Sequence, residues 1–171
     1  MNIRDRITEL RRVPASLLVA NPKNWRVHPE EQCEAVRAIL EQVGMAAAVL
    51  GRVDSSGDIV LIDGHLRASL LGDDDIPVLV LDVTEDEADK LLLTLDPLKE
   101  MADLDRQRIE TLLTQHEDAD GPLAALMQDL ARKAGLADEM LEPDESSAKE
   151  IDTDGFDFSH VCTKCGFEFN D

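Results

Sequence analysis

The spacing of apolar residues divides the chain into strand-like and helix-like stretches. Residues 12–19 (RVPASLLV) predict a short strand or extended entry segment. Asn21-Pro22-Lys23-Asn24-Trp25 predicts a loop, since Asn-Pro favours turn initiation. Pro29 suits a first helical position. Val36, Ile39, Leu40 and Val43 then follow at the spacing of one helix face, and Gly44 stops that helix. Residues 46–54 and 58–63 predict two strands joined by a turn at Ser55-Ser56-Gly57. A helix follows from near Gly64 to Gly72. The almost continuous apolar run of 76–83 (IPVLVLDV) suits a strand buried on both faces of a helix-covered sheet.

Thr84 and Glu87 have capping-box spacing. Ala88, Leu91, Leu92 and Leu95 give the next helix its apolar face, and Asp96-Pro97 is expected to end it. Ile109, Leu112 and Leu113 mark another helix. Leu123, Leu126, Met127 and Leu130 mark the last, with Gly135 at its end. The order strand, helix, strand, strand, helix, strand, then helices predicts an α/β (α+β-like) fold with a small mixed sheet and flanking helices. Residues 1–100 would form the main domain and 101–135 a helical extension. Residues 136–158, with nine acidic groups and one lysine, predict a flexible acidic linker. Residues 159–171 regain Phe and Cys and form a distinct tail.

Composition sharpens this outline. The 171 residues are 43% hydrophobic but hold only four Phe, one Trp and no Tyr, so the core must be aliphatic. The net charge of −20 is opposite to the basic footprint of an autonomous DNA binder. The charge is uneven. Residues 1–28 hold six basic groups (Arg4, Arg6, Arg11, Arg12, Lys23, Arg26) and two acidic ones, which leaves −24 on the other 143. A bound anion is therefore expected to meet the N-terminal part. No run approaches the ~20 apolar residues of a membrane helix. MNIRDRITELRR lacks the apolar core of a signal peptide, and three cysteines make no disulfide framework; a cytoplasmic protein is expected.

The richest segment for chemistry is Ile59-Val60-Leu61-Ile62-Asp63-Gly64-His65-Leu66-Arg67. A strand runs into a glycine and a helix begins. Gly64 permits a tight turn and close ligand approach. The first amides of a helix lack partners and favour an anion. Arg67, one turn on, has a guanidinium fork suited to phosphate, and His65 adds a donor. Asp63 adds a carboxylate that could hold a metal ion or accept a proton. The same spacing also suits an ordinary strand-to-helix turn, with Asp63 as cap and Arg67 solvated.

Five boxes occur in order: Val13-Pro14-Ala15-Ser16-Leu17; Asn21-Pro22, Asn24-Trp25-Arg26 and His28-Pro29; a helix ending at Gly44; the strand pair leading into Asp63-Gly64-His65-Leu66-Arg67; and Ile76-Pro77-Val78-Leu79-Val80. Over about residues 10–97 the chain resembles the ParB/sulfiredoxin superfamily, in particular short phage and prophage ParB-like proteins. The resemblance implies CTP, ATP or ADP, with Mg2+, bound at Gly64, His65 and Arg67, while Arg26 and Asn24 approach from the upstream box. Leu66 stands where partition ParB proteins carry the first of two arginines. His65 stands where sulfiredoxins carry their catalytic cysteine, and Cys33 does not replace it, which argues against sulfinic-acid reduction. The Asp-Gly-His-x-Arg form resembles the free-serine kinase branch, which would make Asp63 and His65 acid/base partners in phosphoryl transfer.

Trp25 could stack on a base or anchor its loop, and His28 could cap the following helix. In the tail, Cys162-x-x-Cys165-Gly166 has zinc-knuckle spacing, and His160 could be a third ligand for Zn2+. The leading expectation is a nucleotide-binding module, phage-derived and acting with DNA-processing or packaging partners, with DNA contact, a protein partner or a homodimer open. The rivals are a phosphotransferase or nucleotide hydrolase on the same fold, and an adaptor that binds no nucleotide.

Overall fold

The computed structural model describes residues 3–136 and, further on, 160, 161, 163, 164, 168 and 169. The chain divides into two compact units, Met1–Ala137 and Asp138–Asp171. The first unit contains β1 (Ile7–Pro14), a 3-10 turn (Ala15–Leu17), β2 (Leu18–Val19), α1 (Glu30–Gln42), β3 (Val49–Val53) and β4 (Ile59–Asp63). It continues with α2 (His65–Leu71), β5 (Asp75–Leu81), α3 (Glu85–Glu100), α4 (Arg106–Thr114) and α5 (Gly121–Lys133). The second unit contains a short antiparallel pair, β6 (His160–Val161) and β7 (Glu168–Phe169).

The five strands of the first unit form one mixed sheet in the order β1-β5-β3-β4-β2. β1/β5 and β3/β4 are antiparallel; β3/β5 and β2/β4 are parallel. This is the expected α/β layout with a small mixed sheet. Val49, Ile59, Leu61, Ile76, Val78 and Val80 project from the sheet into the main core, joined by Ala15 and by Ala68 of α2. These side chains are aliphatic, as the scarcity of aromatics demands. Ile62, next to Leu61 on β4, therefore points to the other face, where α3 packs on β4. Gly51 sits where β3 and β4 approach closely: a Cβ there would lie 2.6 Å from Ile59 Cγ2.

Several expectations need correction. The first strand begins at Ile7, not at residue 12. Its start, Ile-Thr-Glu-Leu-Arg, is largely exposed because β1 is an edge strand, so no buried alternation marks it in the sequence. β5 is buried on both faces, but unevenly: Ile76, Val78 and Val80 are buried on one face and Pro77 on the other, where Leu79 and Leu81 are half-buried. α1 buries only part of the face that its periodicity suggests, with Val36 and Leu40 half-buried. Ala35 is buried, whereas Ile39 and Val43 are exposed, because α1 packs against α2 and α5 and a small residue sits at the closest approach.

Asp96-Pro97 does not end α3, which runs through Pro97 to Glu100. A proline forfeits its own N–H bond, but the ladder resumes when Met101 N–H donates to Pro97 O at 3.1 Å. Asp96 also pairs with both Arg26 and Lys99, which holds this last stretch in place. The start of α3 is as expected. The amide of Glu87 donates to Thr84 Oγ1, and the Thr84 amide donates to Glu87 Oε2 at 2.8 Å. That bond and the fork from Arg6 hold the Glu87 carboxyl down at about 2.

Candidate functional site

β4 ends at Asp63, and the chain turns at Gly64 (φ 91°, ψ 20°) into α2. That left-handed conformation favours glycine. Space demands it as well: a Cβ at Gly64 would come within 2.8 Å of Val49 Cβ and 3.1 Å of an Arg67 guanidinium nitrogen. The second distance places the Arg67 head beside the turn rather than out in solvent. Arg67 donates to Asp63 Oδ2 at 3.2 Å and to Ala47 O at 3.3 Å. Asp63 thus makes no side-chain cap on α2, and the ordinary cap reading of the turn fails.

These residues line a cleft of about 350 Å³. Asn24, Arg26 and His28 line it from the upstream loop, and Gln32 and Val36 from α1. Asp63, Gly64, His65, Leu66 and Arg67 supply a second wall. A third comes from α3, through Leu91, Leu92, Leu95, Asp96, Lys99 and Glu100. All five residues expected to bind phosphate (Asn24, Arg26, Gly64, His65, Arg67) therefore meet at one cavity, as does Asp63. The α3 wall was not anticipated. Leu91, Leu92 and Leu95 read only as a helix face, and the polar residues beyond them lay past the expected helix end.

The upstream loop is braced on α3. Arg26 Nε lies 3.0 Å from Asp96 Oδ2, and its guanidinium donates to Glu100 Oε1 at 3.0 Å. The Nε–Asp96 approach is an ion pair without hydrogen-bond alignment, so this buried N–H has no aligned acceptor. The Arg26 head stacks 4.7 Å from the centre of the Trp25 ring, and Trp25 Nε1 donates to Leu92 O at 3.3 Å. Trp25 is thus tied to α3 and is not among the residues lining the cleft, which favours the anchor over the base platform. Asn24 Oδ1 accepts from the Arg26 amide at 3.3 Å and shapes the same turn.

His65 Nε2 accepts from the Asn21 amide at 3.3 Å, which leaves the proton of the neutral ring on Nδ1. Burial holds His65 below its ordinary value of 6.5; His28 pushes the same way and Asp63 opposes. His28 Nδ1 lies 2.9 Å from Gln32 Oε1 and makes no backbone cap on α1.

The N-terminal basic groups do not present a shared anion patch. Arg6 forks onto Glu87 at 3.0 and 2.7 Å, and Arg4 lies 3.9 Å from the same carboxylate. Lys23 pairs with Glu85 at 2.8 Å and Asp89 at 2.7 Å, and Arg11 pairs with Glu9. Much of the basic excess therefore neutralises acidic α3. Arg26 is the one of the six that lines the cleft.

In the second unit His160 pairs across β6/β7 with Phe169. Cys162 and Cys165, the thiols of the expected zinc site, lie outside the described residues. Among the described residues no group of three His, Cys, Asp or Glu is placed to hold a metal ion. Among them also, no helix is long and apolar enough to cross a membrane.

No family model matches the sequence, and no curated protein matches it. Solved structures of ParB N-terminal regions do resemble it. One is C-terminally truncated chromosome-partitioning ParB from Caulobacter crescentus complexed with CTP-γ-S: 20% identity, TM-score 0.49, covering 64% of this chain and 65% of that one. The chain thus spans slightly less than two thirds of that ParB chain. The same truncated protein complexed to the centromeric parS site matches at 18% identity and TM-score 0.41, over 80% of this chain and 74% of that one. A Pnob8-like ParB-N domain matches at 17% identity and TM-score 0.45, over 82% of this chain and 52% of that one.

Proposed function

We propose that the cleft binds the phosphates of a nucleoside di- or triphosphate, and that the protein is a ParB-like nucleotide-binding module. The observation that carries this reading is convergence. Arg26 and Arg67, 41 positions apart in the sequence, line one cavity with Gly64 and His65. A phosphate entering there takes the guanidinium of Arg67 from Asp63 and that of Arg26 from Glu100. Both exchanges replace one carboxylate by another anion, so the arginines stay paired throughout. The Nδ1–H of neutral His65 is a further donor. CTP, ATP and ADP are the candidates that the ordered sequence boxes suggest.

The carboxylates explain a role for magnesium. Asp63, Asp96 and Glu100 balance Arg26, Arg67 and Lys99 in charge, so a free triphosphate meets a cleft with little net attraction. A divalent ion arriving on the phosphates lowers their charge and can take Asp63 as an oxygen ligand. Such ions bind one or two carboxylates plus substrate phosphates, which suits a chain with no three-ligand cluster among its described residues. Binding is favoured over phosphoryl transfer, because the basic nitrogen of neutral His65, Nε2, is already occupied by the Asn21 amide.

The test is a melting-temperature panel of CTP, ATP, ADP and GTP with and without Mg2+, followed by calorimetry on the best ligand. At least one nucleotide with Mg2+ should raise the midpoint, and Arg67→Ala should weaken its binding at least about tenfold. No shift with any nucleotide at millimolar concentration would sink the proposal.

A further inference from the structure

Lys23, Trp25 and Arg26 lie along one stripe of α3. Lys23 pairs with Glu85 and Asp89, Trp25 Nε1 donates to Leu92 O, and Arg26 reaches Asp96 and Glu100. Successive steps of four, three, four and four residues separate these α3 positions, the spacing of a single helix face. The loop is thus strapped to α3 along its length and delivers Arg26 to the cleft with Trp25 immediately before it.

The Arg26 head is held in two different ways. Along its N–H edge the hold is weak. Nε faces Asp96 without hydrogen-bond alignment, and the hydrogen bond to Glu100 goes to a side chain that is 68% exposed. Exposed ion pairs of this kind contribute little. On its face the head stacks on Trp25, whose own ring is fixed by the N–H on Leu92 O. A guanidinium offers its edge to a carboxylate or phosphate and its face to an aromatic ring, so the two partners do not compete. A phosphate can therefore take the edge from Glu100 while the stack persists. Without the ring, the head has more orientations to lose when it binds, and that ordering weakens binding.

We propose that Trp25 is a positioning residue for phosphate capture: its ring holds the Arg26 guanidinium by the face while the N–H edge passes from Glu100 to a phosphate oxygen. This rests on the nucleotide reading of the cleft and adds to it a side chain that acts only through Arg26.

Calorimetry of the full chain with Mg2+ and whichever of CTP, ATP and ADP binds reads the effect. Trp25→Leu should weaken binding about fivefold, the worth of an exposed stack. Trp25→Phe keeps a ring face and loses only the N–H to Leu92, so it should bind within about twofold of the wild type. In the Arg26→Gln background, where Arg67 and His65 still serve the phosphates, no guanidinium is left to stack. Trp25→Leu should there cost less than about twofold more. Trp25 is half exposed, and far-ultraviolet circular dichroism checks that each variant is folded. A ring that merely anchors the loop gives a different pattern: Trp25→Phe as weak as Trp25→Leu, or the same loss from Trp25→Leu with and without Arg26. Either result overturns the proposal, as does a Trp25→Leu chain that binds as tightly as the wild type. A wild type that binds none of the three nucleotides overturns the nucleotide reading and this inference together. Where the wild type binds one of them, the Trp25 variants decide this inference alone.

Discussion

Two walls of the cleft, the turn from Asp63 to Arg67 and the end of α3, are built in opposite ways. On one side five consecutive residues, Asp63 to Arg67, do everything within one turn of chain. A strand ends, Gly64 reverses the backbone, and Arg67 folds back to Asp63 across four positions. On the other side α3 supplies Asp96, Lys99 and Glu100, whose roles exist only because Arg26 arrives from 70 residues upstream. The first wall is fixed by steric necessity and the second by exchangeable ion pairs. A local wall of this kind should be costly to alter, and a long-range wall of this kind easy to tune.

Three measurements test that contrast, from the largest expected effect to the smallest. Gly64→Ala forces a Cβ against Val49 in a left-handed conformation, so urea denaturation should show a loss of about 3 kcal/mol. An unchanged midpoint would mean that the turn relaxes freely. On the α3 wall, Glu100→Gln removes the negative charge of one Arg26 partner at an exposed position. Surface pairs contribute about 0–1 kcal/mol, so stability should hardly change. Freed of that competitor, Arg26 should bind nucleotide up to about fivefold more tightly by calorimetry. Weaker binding would show Glu100 to be a ligand-side partner instead.

The third measurement concerns His65. Its folded pKa lies below 6.5, so the unfolded chain takes up its proton first as pH falls. Its contribution to stability is therefore complete above about 6.5 and is lost on acidification below it. His65→Gln cannot titrate there. Between pH 7.5 and 5.5 its melting temperature should fall less than that of the wild type. Equal falls would place the pH sensitivity elsewhere.

The contrast also explains what the sequence could tell. The box wall was legible because contiguous residues carry it: an apolar strand, a glycine, a helix start and an arginine one turn on. The fold was legible for a similar reason, since each central strand and capped helix marks itself locally. Edge strand β1 was truncated in the reading, because burial, not residue type alone, makes strand alternation visible. The end of α3 is not legible, because Pro97 is a local stop signal and yet the helix runs through it to Glu100. Net charge along residues 1–28 suggested an anion site, yet counting charges says nothing about where the partners of each charge lie. Arg4, Arg6, Lys23 and Arg26 find carboxylates on a helix that begins at residue 85.

One further consequence follows from Arg6 reaching Glu87 across 81 positions while β1 completes the sheet beside β5. A nascent chain emerging from a ribosome presents β1 well before β5 and cannot complete its docking until the segment up to the start of α3 has been made. Such long separations slow folding, because loop-closure entropy must be met before the contact is gained. During that interval β1 is left without its neighbour, and its docking waits on the synthesis of β5 and the start of α3.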